Sequence, residues 1–497
     1  MKMKIQRLVG CILAALQFII SALLVFFLIR TRVVPTKYII MVGIILGLLP
    51  ICFIAMQLKK IPGIIASALS VILIGIMCFG IVKVNQANKM MDSVTGNKTE
   101  VEVVNVYIGA DDPVDSINKA AEKGYLFGTI DNINNEAVRE TLREISSSSS
   151  GPIDTVKYPS IVQVADAFLK GEIQGLIVST GDISILEGQE DYENFSKLLK
   201  IILEKKIEKE VEKDNTKRTD RTKADKERFC AYISGIDTYG DVTLKSRSDV
   251  NVIAVMNFQT HTILLLSTPR DYYVNLAFES EPLDKLTHAG NYGIEMSMAT
   301  LENLYDTDLD YYIRVNFTGF VNIIDTLGGV DVESEYDFYS QLDDSGYHYN
   351  EGMNHLSGEA ALYFARERYS FTEGDRQRGK NQMAVIKAVL NKLMSSELLK
   401  NYSDLMSQMK DCFQTNMTKD ELGKLVQEQI DDGGKWNIVQ YSVTGGDAMD
   451  YCYSVGGDAY VMVPYQDTVD YATELIKRVL NDEEISQSTI DNGAPQH

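Results

Sequence analysis

Three long apolar stretches open the chain, and polar positions are rare within them. They run over about 8–29, 38–56 and 63–82, and each is close to the roughly 20 residues that a membrane-spanning helix needs. A cleaved signal peptide has one short apolar core and no second or third. The pattern therefore predicts a membrane anchor of three transmembrane helices within residues 1–90.

Basic residues around these stretches indicate their orientation. Three basic residues precede the first stretch and two follow the second: Lys2, Lys4, Arg7, Lys59 and Lys60. Loops rich in Lys and Arg stay on the cytoplasmic side. Three basic residues between the first and second stretches oppose this bias. An odd number of spans with a cytoplasmic N-terminus predicts a multi-pass protein of the cell membrane whose remaining residues are extracellular.

After the anchor, strand-like and helix-like patterns alternate, which is typical of α/β domains. Residues 98–204 contain the strand-like VEVVNVYIG and GLIVS and the amphipathic EAVRETLREI, and they predict an accessory α/β domain. The charge-dense run 205–228 predicts a linker or a solvated helix. Residues 229–480 begin with three buried, β-branched runs that predict a second α/β domain, with its main motifs at 229–394. The polar tail 481–497 is predicted to be disordered.

Charge and cysteine content narrow the possible functions. The first hundred residues hold 11 basic and 2 acidic residues, which leaves 37 basic and 67 acidic residues over 101–497 and a formal charge of about −30 there. Such an acidic body argues against nucleic-acid binding, which needs a basic face. The six cysteines include no metal-binding spacing. Cys412 and Cys452 are predicted to form a disulfide, with two free thiols as the alternative.

Charged residues collect at the predicted strand ends. Asp237 follows the first strand of the second domain, Arg247 and Asp249 precede the next strand, and Arg270 with Asp271 closes the third. Ligands of open α/β sheets collect at strand ends, so these side chains are expected to converge. Surface ion pairs are the alternative interpretation.

A second charged segment lies further along the chain. Arg366 and Arg368 share a face if their segment is extended, as we predict. Asp375, Arg378 and Gln382 share a face of a helix. Several arginines with two aspartates suit a pyrophosphate bound with a divalent metal ion, because arginine binds phosphate bidentately and Mg²⁺ uses one or two carboxylates plus phosphate oxygens.

Five segments together resemble the LytR-CpsA-Psr family. They are ID at 236–237, RSD at 247–249, STPRD at 267–271, KLTHA at 285–289 and ARERYSFTEGDRQRGKNQ at 365–382. The three spans and the extra domain resemble the capsule-type branch of that family. The resemblance implies an α/β/α sandwich fold and an enzyme that transfers a glycopolymer, of capsular polysaccharide or teichoic-acid type, from a polyprenyl pyrophosphate carrier to peptidoglycan.

The resemblance also implies roles for individual residues. It implies that Asp237 and Asp249 hold Mg²⁺ or Mn²⁺, and that Arg270, Asp375 and Arg378 are catalytic. The implied pyrophosphate-binding residues are Arg247, Arg270, Arg366, Arg368, Arg378 and Gln382. Lys285, in the matched KLTHA segment, is predicted to reach a phosphate, with a solvated lysine as the alternative. Other capsule-synthesis proteins are possible partners.

Three interpretations stay open beside this one. The same pocket suits a polyprenyl pyrophosphate hydrolase if water replaces the acceptor hydroxyl. A non-enzymatic membrane regulator of capsule synthesis is the second alternative, and a membrane-bound glycan sensor is the third. His288 within KLTHA is either a general base or a structural, hydrogen-bonded histidine.

Overall fold

The computed structural model describes residues 2–31, 34–95, 99–131, 136–149, 151–211, 227–342, 346–395, 409 and 411–497. The chain divides into two units. One comprises residues 1–97, 390–410 and 416–435, and the other comprises residues 98–389, 411–415 and 436–497.

Three long helices form the N-terminal part of the first unit: α1 (Lys2–Thr31), α2 (Thr36–Met56) and α3 (Lys60–Thr95). Their most apolar windows have mean hydropathies of 2.8, 2.8 and 2.6. By length and composition, each helix is able to cross a membrane. The three predicted apolar helices are therefore confirmed.

The accessory domain is a five-stranded mixed sheet with flanking helices. Its strand order is β3-β2-β4-β1-β5. Strand β2 pairs in parallel with β3 and β4, whereas β1 pairs antiparallel with β4 and β5. In chain order the elements are β1 (Thr99–Gly109), α4 (Ile117–Glu122), β2 (Leu126–Ile130), α5 (Glu136–Ser148), β3 (Asp154–Tyr158), α6 (Ile161–Leu169), β4 (Gly175–Ser179), α7 (Thr180–Glu187) and β5 (Leu199–Glu210).

The predicted linker at 205–228 needs a correction at both ends. Its first residues continue β5 to Glu210 and pair with β1, and its last residue, Arg228, begins a strand of the second domain. In this edge strand the charged side chains point to solvent while Ile207 is buried, so a half-buried strand accommodates the charges. Residues 212–226 of the predicted linker lie outside the described residues.

The second domain contains the remaining elements. They are β6 (Arg228–Ile236), β7 (Ser248–Asn257), β8 (Thr262–Ser267), β9 (Tyr273–Asn275), β10 (Leu283–Lys285), α8 (Leu286–Ala289), α9 (Ile294–Tyr305), β11 (Tyr311–Asn316), α10 (Phe317–Thr326), β12 (Val330–Ser334), β13 (Phe338–Tyr339), β14 (His348–Tyr349), β15 (Gly352–Leu356), α11 (Gly358–Arg366), α12 (Asp375–Leu393), β16 (Phe413–Thr415), β17 (Asn437–Ser442), β18 (Gly445–Cys452), β19 (Gly457–Pro464), α13 (Gln466–Leu480) and α14 (Gln487–Gly493). A further helix, Lys419–Asp432, belongs to the first unit.

A six-stranded sheet of order β16-β11-β6-β7-β8-β17 forms the centre of this domain. All six residues of β8 are buried, which requires cover on both faces of the sheet. Apolar residues of β6, β7 and β8 pack with α9 and α13 in one core cluster. The predicted mixed α/β fold is confirmed.

Two predictions about the C-terminal region are wrong. The polar tail at 481–497 is ordered, because Ile485 and Ile490 are buried against the core and α14 forms around Ile490. Cys412 and Cys452 are both buried, and they form no disulfide with each other in the structure. The sequence alone did not reveal which residues cover them.

Candidate active site

Three strand ends meet at one edge of the six-stranded sheet. Strands β6 and β8 run in the same direction and β7 runs between them in the opposite direction. The end of β6, the start of β7 and the end of β8 therefore lie side by side. Asp237 follows β6, Asp249 is the second residue of β7, and Arg270 follows β8. The structure brings these three predicted residues together.

Two ion pairs connect the strand ends. Arg247 pairs with Asp237, whose Oδ1 also accepts a hydrogen bond of 2.8 Å from the Ser246 hydroxyl. Arg270 Nη1 lies 2.6 Å from Asp249 Oδ2. Each of the two predicted metal ligands thus has an arginine as its partner.

Further charges extend this cluster towards α8 and α12. Asp271 lies 3.7 Å from Arg270 Nε and 3.3 Å from Lys285 Nζ. Asp375 is the first residue of α12 and forms an ion pair with Arg378, one turn later. Gln382 is buried on the same helix, as the helical spacing predicts.

The two aspartates of the strand ends differ in their electrostatics. Burial and the nearby charge of Asp249 raise the pKa of Asp237 above its usual range. Burial also opposes ionisation of Asp249, but Arg270, Arg247 and Arg378 together outweigh it and lower the pKa of Asp249. The two carboxyl groups are therefore close enough to repel each other when both are ionised.

The pKa values of Arg270 and Asp375, which lie next to these aspartates, are shifted as well. Burial opposes the charge of Arg270, but Asp249, Asp271 and Asp375 outweigh it and raise the pKa of this guanidinium group. Burial raises the pKa of Asp375, and Arg378 only partly opposes this effect. Asp375 is thus a better proton acceptor than an ordinary aspartate.

Arg366 and Arg368 are placed differently from the prediction. Arg366 is the last residue of α11, and the chain becomes extended at Glu367, so the segment is not extended throughout. The Arg366 guanidinium group lies 4.5 Å from the centre of the Phe317 ring. Arg368 is exposed and stacks on Tyr369 at 4.7 Å. Their observed contacts are with aromatic rings, although the Phe317 amide bonds to Thr238, next to Asp237.

Glu367 explains this placement, a role that the sequence analysis did not predict. It is fully buried and accepts hydrogen bonds from the Ser340 hydroxyl and the Gln341 amide. The amides of Arg368, Tyr369 and Ser370 also donate to it. The available signal in the sequence was an acidic residue between two arginines. Its carboxylate can accept hydrogen bonds from the backbone amides of the turn that separates them.

His288 has a structural environment. It is 3% exposed, and its Nδ1 lies 2.7 Å from Asp284 Oδ1. Asp284 also accepts hydrogen bonds from the amides of Lys285 and Ser454. This arrangement favours the interpretation of a structural, hydrogen-bonded histidine over a general base.

The donor set fits Mg²⁺ only together with a substrate. Across the described ranges there is no group of three or more His, Cys, Asp or Glu residues that could enclose a metal ion. Two close aspartates suffice, however, if phosphate oxygens complete the octahedron. The buried Nε atoms of Arg247 and Arg270 have no hydrogen-bond partner among the described atoms. Such unused donors suit an incoming anion.

Comparisons with known proteins identify the family of this chain. The sequence profile of the LytR_cpsA_psr family matches residues 199–473, more than half of the chain. The chain belongs to the LytR_cpsA_psr family. The match leaves residues 1–198 outside it, including most of the accessory domain.

Individual members of the family include several named proteins. TagU of Bacillus cereus, named polyisoprenyl-teichoic acid–peptidoglycan teichoic acid transferase, is 32% identical over 245 residues, which are 49% of this chain and 78% of that protein. The TagU of Enterococcus faecalis is 29% identical, over 47% of this chain and 76% of that protein. The chain covers 57% of the TagU of Bacillus anthracis, at 35% identity.

Solved structures of the family cover about half of this chain. The crystal structure of B. subtilis TagV is 26% identical, covers 52% of this chain and 98% of its own, and has a TM-score of 0.44. TagT bound to LIIa-WTA is 29% identical, covers 51% of this chain and 91% of its own, and has a TM-score of 0.42.

Proposed function

We propose that this protein is a metal-dependent phosphotransferase that moves a glycopolymer from a polyprenyl pyrophosphate carrier onto peptidoglycan. The names of the TagU relatives describe such a transfer of teichoic acid to peptidoglycan. The supporting observation in this chain is the cluster at the sheet edge, where the buried Nε atoms of two arginines donate no hydrogen bond to any described residue. A pyrophosphate would supply the acceptors that these donors lack.

The residues of the cluster have distinct roles in this proposal. Arg247, Arg270, Arg378 and Lys285 bind and neutralise the pyrophosphate oxygens, where positioning and charge neutralisation do most of the work of phosphoryl transfer. Gln382 lies on the same face of α12 as Arg378. Arg366 and Arg368 bind substrate phosphate by leaving their aromatic partners, Phe317 and Tyr369.

The reaction exchanges one phosphorus–oxygen bond for another. The acceptor hydroxyl of peptidoglycan forms a bond to the phosphorus that bears the polymer, while the bond from that phosphorus to the polyprenyl phosphate oxygen breaks. Polyprenyl phosphate leaves, and Asp375 takes the hydroxyl proton, which suits its raised pKa. Arg270 and Arg378 stabilise the charge on the transferred group.

Asp237 and Asp249 are the residues that would hold Mg²⁺ or Mn²⁺. The ion would neutralise negative charge on the pyrophosphate oxygens and orient them. Binding requires both carboxylates to be ionised, so the metal would compete with the proton that the raised pKa of Asp237 favours.

Several finer assignments are part of the proposal. They are the assignment to the capsule-type branch, an extracellular position of the catalytic domain, and the association with other capsule-synthesis proteins. Hydrolysis of a polyprenyl pyrophosphate remains the second enzymatic candidate, because the same basic cluster would bind the same pyrophosphate if water entered in place of the sugar hydroxyl.

Arg270→Lys tests the pocket while leaving a positive charge beside Asp249. Lysine lacks the planar fork and the Nε donor, so we expect transfer from a polyprenyl pyrophosphate donor to peptidoglycan to fall in kcat by about 100-fold or more. The purified full chain is assayed with Mg²⁺, and its melting temperature is recorded in parallel. The exposed Arg139→Lys in the accessory domain is the matched control.

Two results would count against the proposal. Unchanged transfer by a folded Arg270→Lys variant would remove Arg270 from the pocket. Equal release of polyprenyl phosphate by the wild-type chain with and without peptidoglycan would identify a hydrolase instead.

A further inference from the structure

The hairpin of β18 and β19 presents an exposed aromatic face. Met449 lies directly opposite Tyr460 in its register, and Tyr451 lies two residues along β18. Because side chains alternate between the faces of a strand, these three share one face. They are 67%, 39% and 53% exposed, respectively. Apolar and aromatic side chains grouped in this way often mark binding surfaces.

The opposite face of the hairpin is covered by the accessory domain. Ala448, Cys452, Ala459 and Val461 pack into the same core cluster as residues of α6, β4 and α7. The turn approaches closely too, since a Cβ at Gly456 would overlap the Ser160 side chain. The domain that lies largely outside the family match therefore fixes one face of the hairpin and leaves the other open.

The open face adjoins the pyrophosphate site. The Met462 amide donates a hydrogen bond of 2.8 Å to the carbonyl of Asp271, next to Arg270. Lys285 Nζ lies 5.9 Å from the centre of the Tyr460 ring. On the other side, Arg376 of α12 donates to the Gly445 carbonyl at 2.8 Å. A molecule on this face would thus reach the groups that bind phosphate.

The charge of the hairpin indicates what it binds. The hairpin has no lysine or arginine, and on its open face it carries Asp447 and Asp458, with Arg376 of α12 3.7 Å from Asp447. The hairpin therefore offers a phosphate-rich polymer no cation of its own. Uncharged sugar rings fit it better, because their C–H faces pack on aromatic rings and their hydroxyls donate to carboxylates. Asp447 already accepts a hydrogen bond of 2.8 Å from the Tyr460 hydroxyl.

We infer that the face formed by Asp447, Met449, Tyr451 and Tyr460 binds the sugar strand of the peptidoglycan acceptor and directs its hydroxyl towards the pyrophosphate. The inference rests on the proposed transferase function. It also gives the accessory domain a role, since that domain buries the other side of the acceptor surface.

The double variant Met449→Ala/Tyr451→Ala tests the surface without altering a side chain of the phosphate site. The full chain is assayed at saturating donor against increasing polymer-free peptidoglycan, and then at saturating peptidoglycan against increasing donor. We expect the KM for peptidoglycan to rise about tenfold, with the donor KM as in the wild-type chain. Tyr339→Ala/Met353→Ala, which removes a similarly exposed pair from β13 and β15, is the matched control.

Three outcomes would overturn the inference: an unchanged KM for peptidoglycan, a rise in the donor KM instead, or the same effect in the control variant. Cosedimentation with polymer-free peptidoglycan separates this surface from the reaction itself. If the wild-type chain transfers nothing but sediments with peptidoglycan, and the double variant does not, the proposed function fails and the binding surface stands. Equal sedimentation of both proteins contradicts the surface.

Discussion

Asp182 is a titratable residue outside the proposed active site whose environment affects stability. Its Oδ2 accepts hydrogen bonds from the amide and hydroxyl of Ser179 in the capping box that begins α7. Burial raises the pKa of Asp182 from 3.8 to about 6 despite these bonds, and the charge of Glu102 adds to the effect. The folded protein therefore binds this proton more tightly than the unfolded chain does.

This difference in proton binding fixes the direction in which the free energy of unfolding changes with pH. A carboxyl group with a raised pKa in the folded state lowers the free energy of unfolding as the pH rises from about 4 to about 6, by at most about 3 kcal/mol. Asn at this position keeps an acceptor oxygen and has no proton to lose. We predict that the melting temperature of Asp182→Asn rises relative to the wild-type protein between pH 4.5 and pH 7.5, measured on the full chain in detergent.

The exposed Asp154→Asn, also in the accessory domain, is the control for this measurement. Its melting temperature should follow that of the wild-type protein at both pH values. A difference between Asp182→Asn and the wild-type protein that stays constant with pH would contradict the raised pKa.

At the scale of residues, the sequence predicted the position of the cluster but not all of its partners. Asp237, Asp249 and Arg270 converge because each stands at the end of a buried strand, and apolar runs mark such strands well. The contacts of Arg366 and Arg368 depend on a turn around Glu367, whose partner Ser340 lies 27 residues away. No local pattern indicates that partner.

At the scale of elements, a buried ion pair joins the accessory domain to the central sheet. Arg314 of β11 is 1% exposed and pairs with Glu100 of β1. Arg314 alternates with apolar residues in YYIRVNF, which is typical of a polar strand face, but a partner 214 residues away holds it in the interior. Glu100 also accepts a hydrogen bond of 2.9 Å from the Ile294 amide at the start of α9.

Strand β1 also forms hydrogen bonds with the loop that precedes Arg247. The Val101 amide donates to the Thr243 carbonyl, and the Lys245 amide donates to the Val101 carbonyl, both at 2.9 Å. Lys245 Nζ lies 3.3 Å from Glu102. Strand β1 thus supports the segment that presents Arg247 to the phosphate cluster.

We predict that Glu100→Gln lowers the free energy of unfolding by about 3–5 kcal/mol, because it leaves a buried guanidinium group without its counter-charge. The double change Glu100→Leu/Arg314→Met should recover most of that loss, since it removes both charges. Chemical denaturation of the full chain in detergent measures both. Lys119→Met breaks an exposed pair with Asp115 and should leave the midpoint unchanged. If the double variant is less stable than Glu100→Gln, the ion pair is not the reason for the loss.

Helices and strands whose apolar residues repeat at a regular spacing were predictable from the sequence, whereas solvated or irregular segments were not. The predictions for the ends of the linker and for the tail failed because composition was used where a few apolar side chains decide the outcome. Ile207 is the one buried residue of the β5 segment 205–210, and Ile490 is the one buried residue of α14. Each side chain is buried by residues distant in sequence, so the local charge density gave no sign of its burial.

At the scale of the whole molecule, the anchor and the acidic body suit a substrate with two parts. The proposed donor has a lipid tail in the bilayer and a phosphate group at its surface, so an enzyme that uses it benefits from a membrane anchor. The loop charges predict that the body is extracellular, but three basic residues on the opposite side weaken this bias. Orientation is therefore the property of the whole chain that most needs a direct measurement.

Cysteine labelling of intact cells tests this orientation. Asp154→Cys places a thiol at an exposed position in the accessory domain, and Leu58→Cys places one between α2 and α3, where the side chain is 70% exposed. Leu58 adjoins Lys59 and Lys60, which favour the cytoplasm. We predict that a membrane-impermeant maleimide labels Asp154→Cys on intact cells and labels Leu58→Cys only after the membrane is opened.

The wild-type chain gives the background for this labelling, since its second-unit cysteines are buried and the others lie within the apolar helices. Labelling in the reverse order would place the phosphate cluster in the cytoplasm, away from peptidoglycan, and would contradict the proposed transfer reaction.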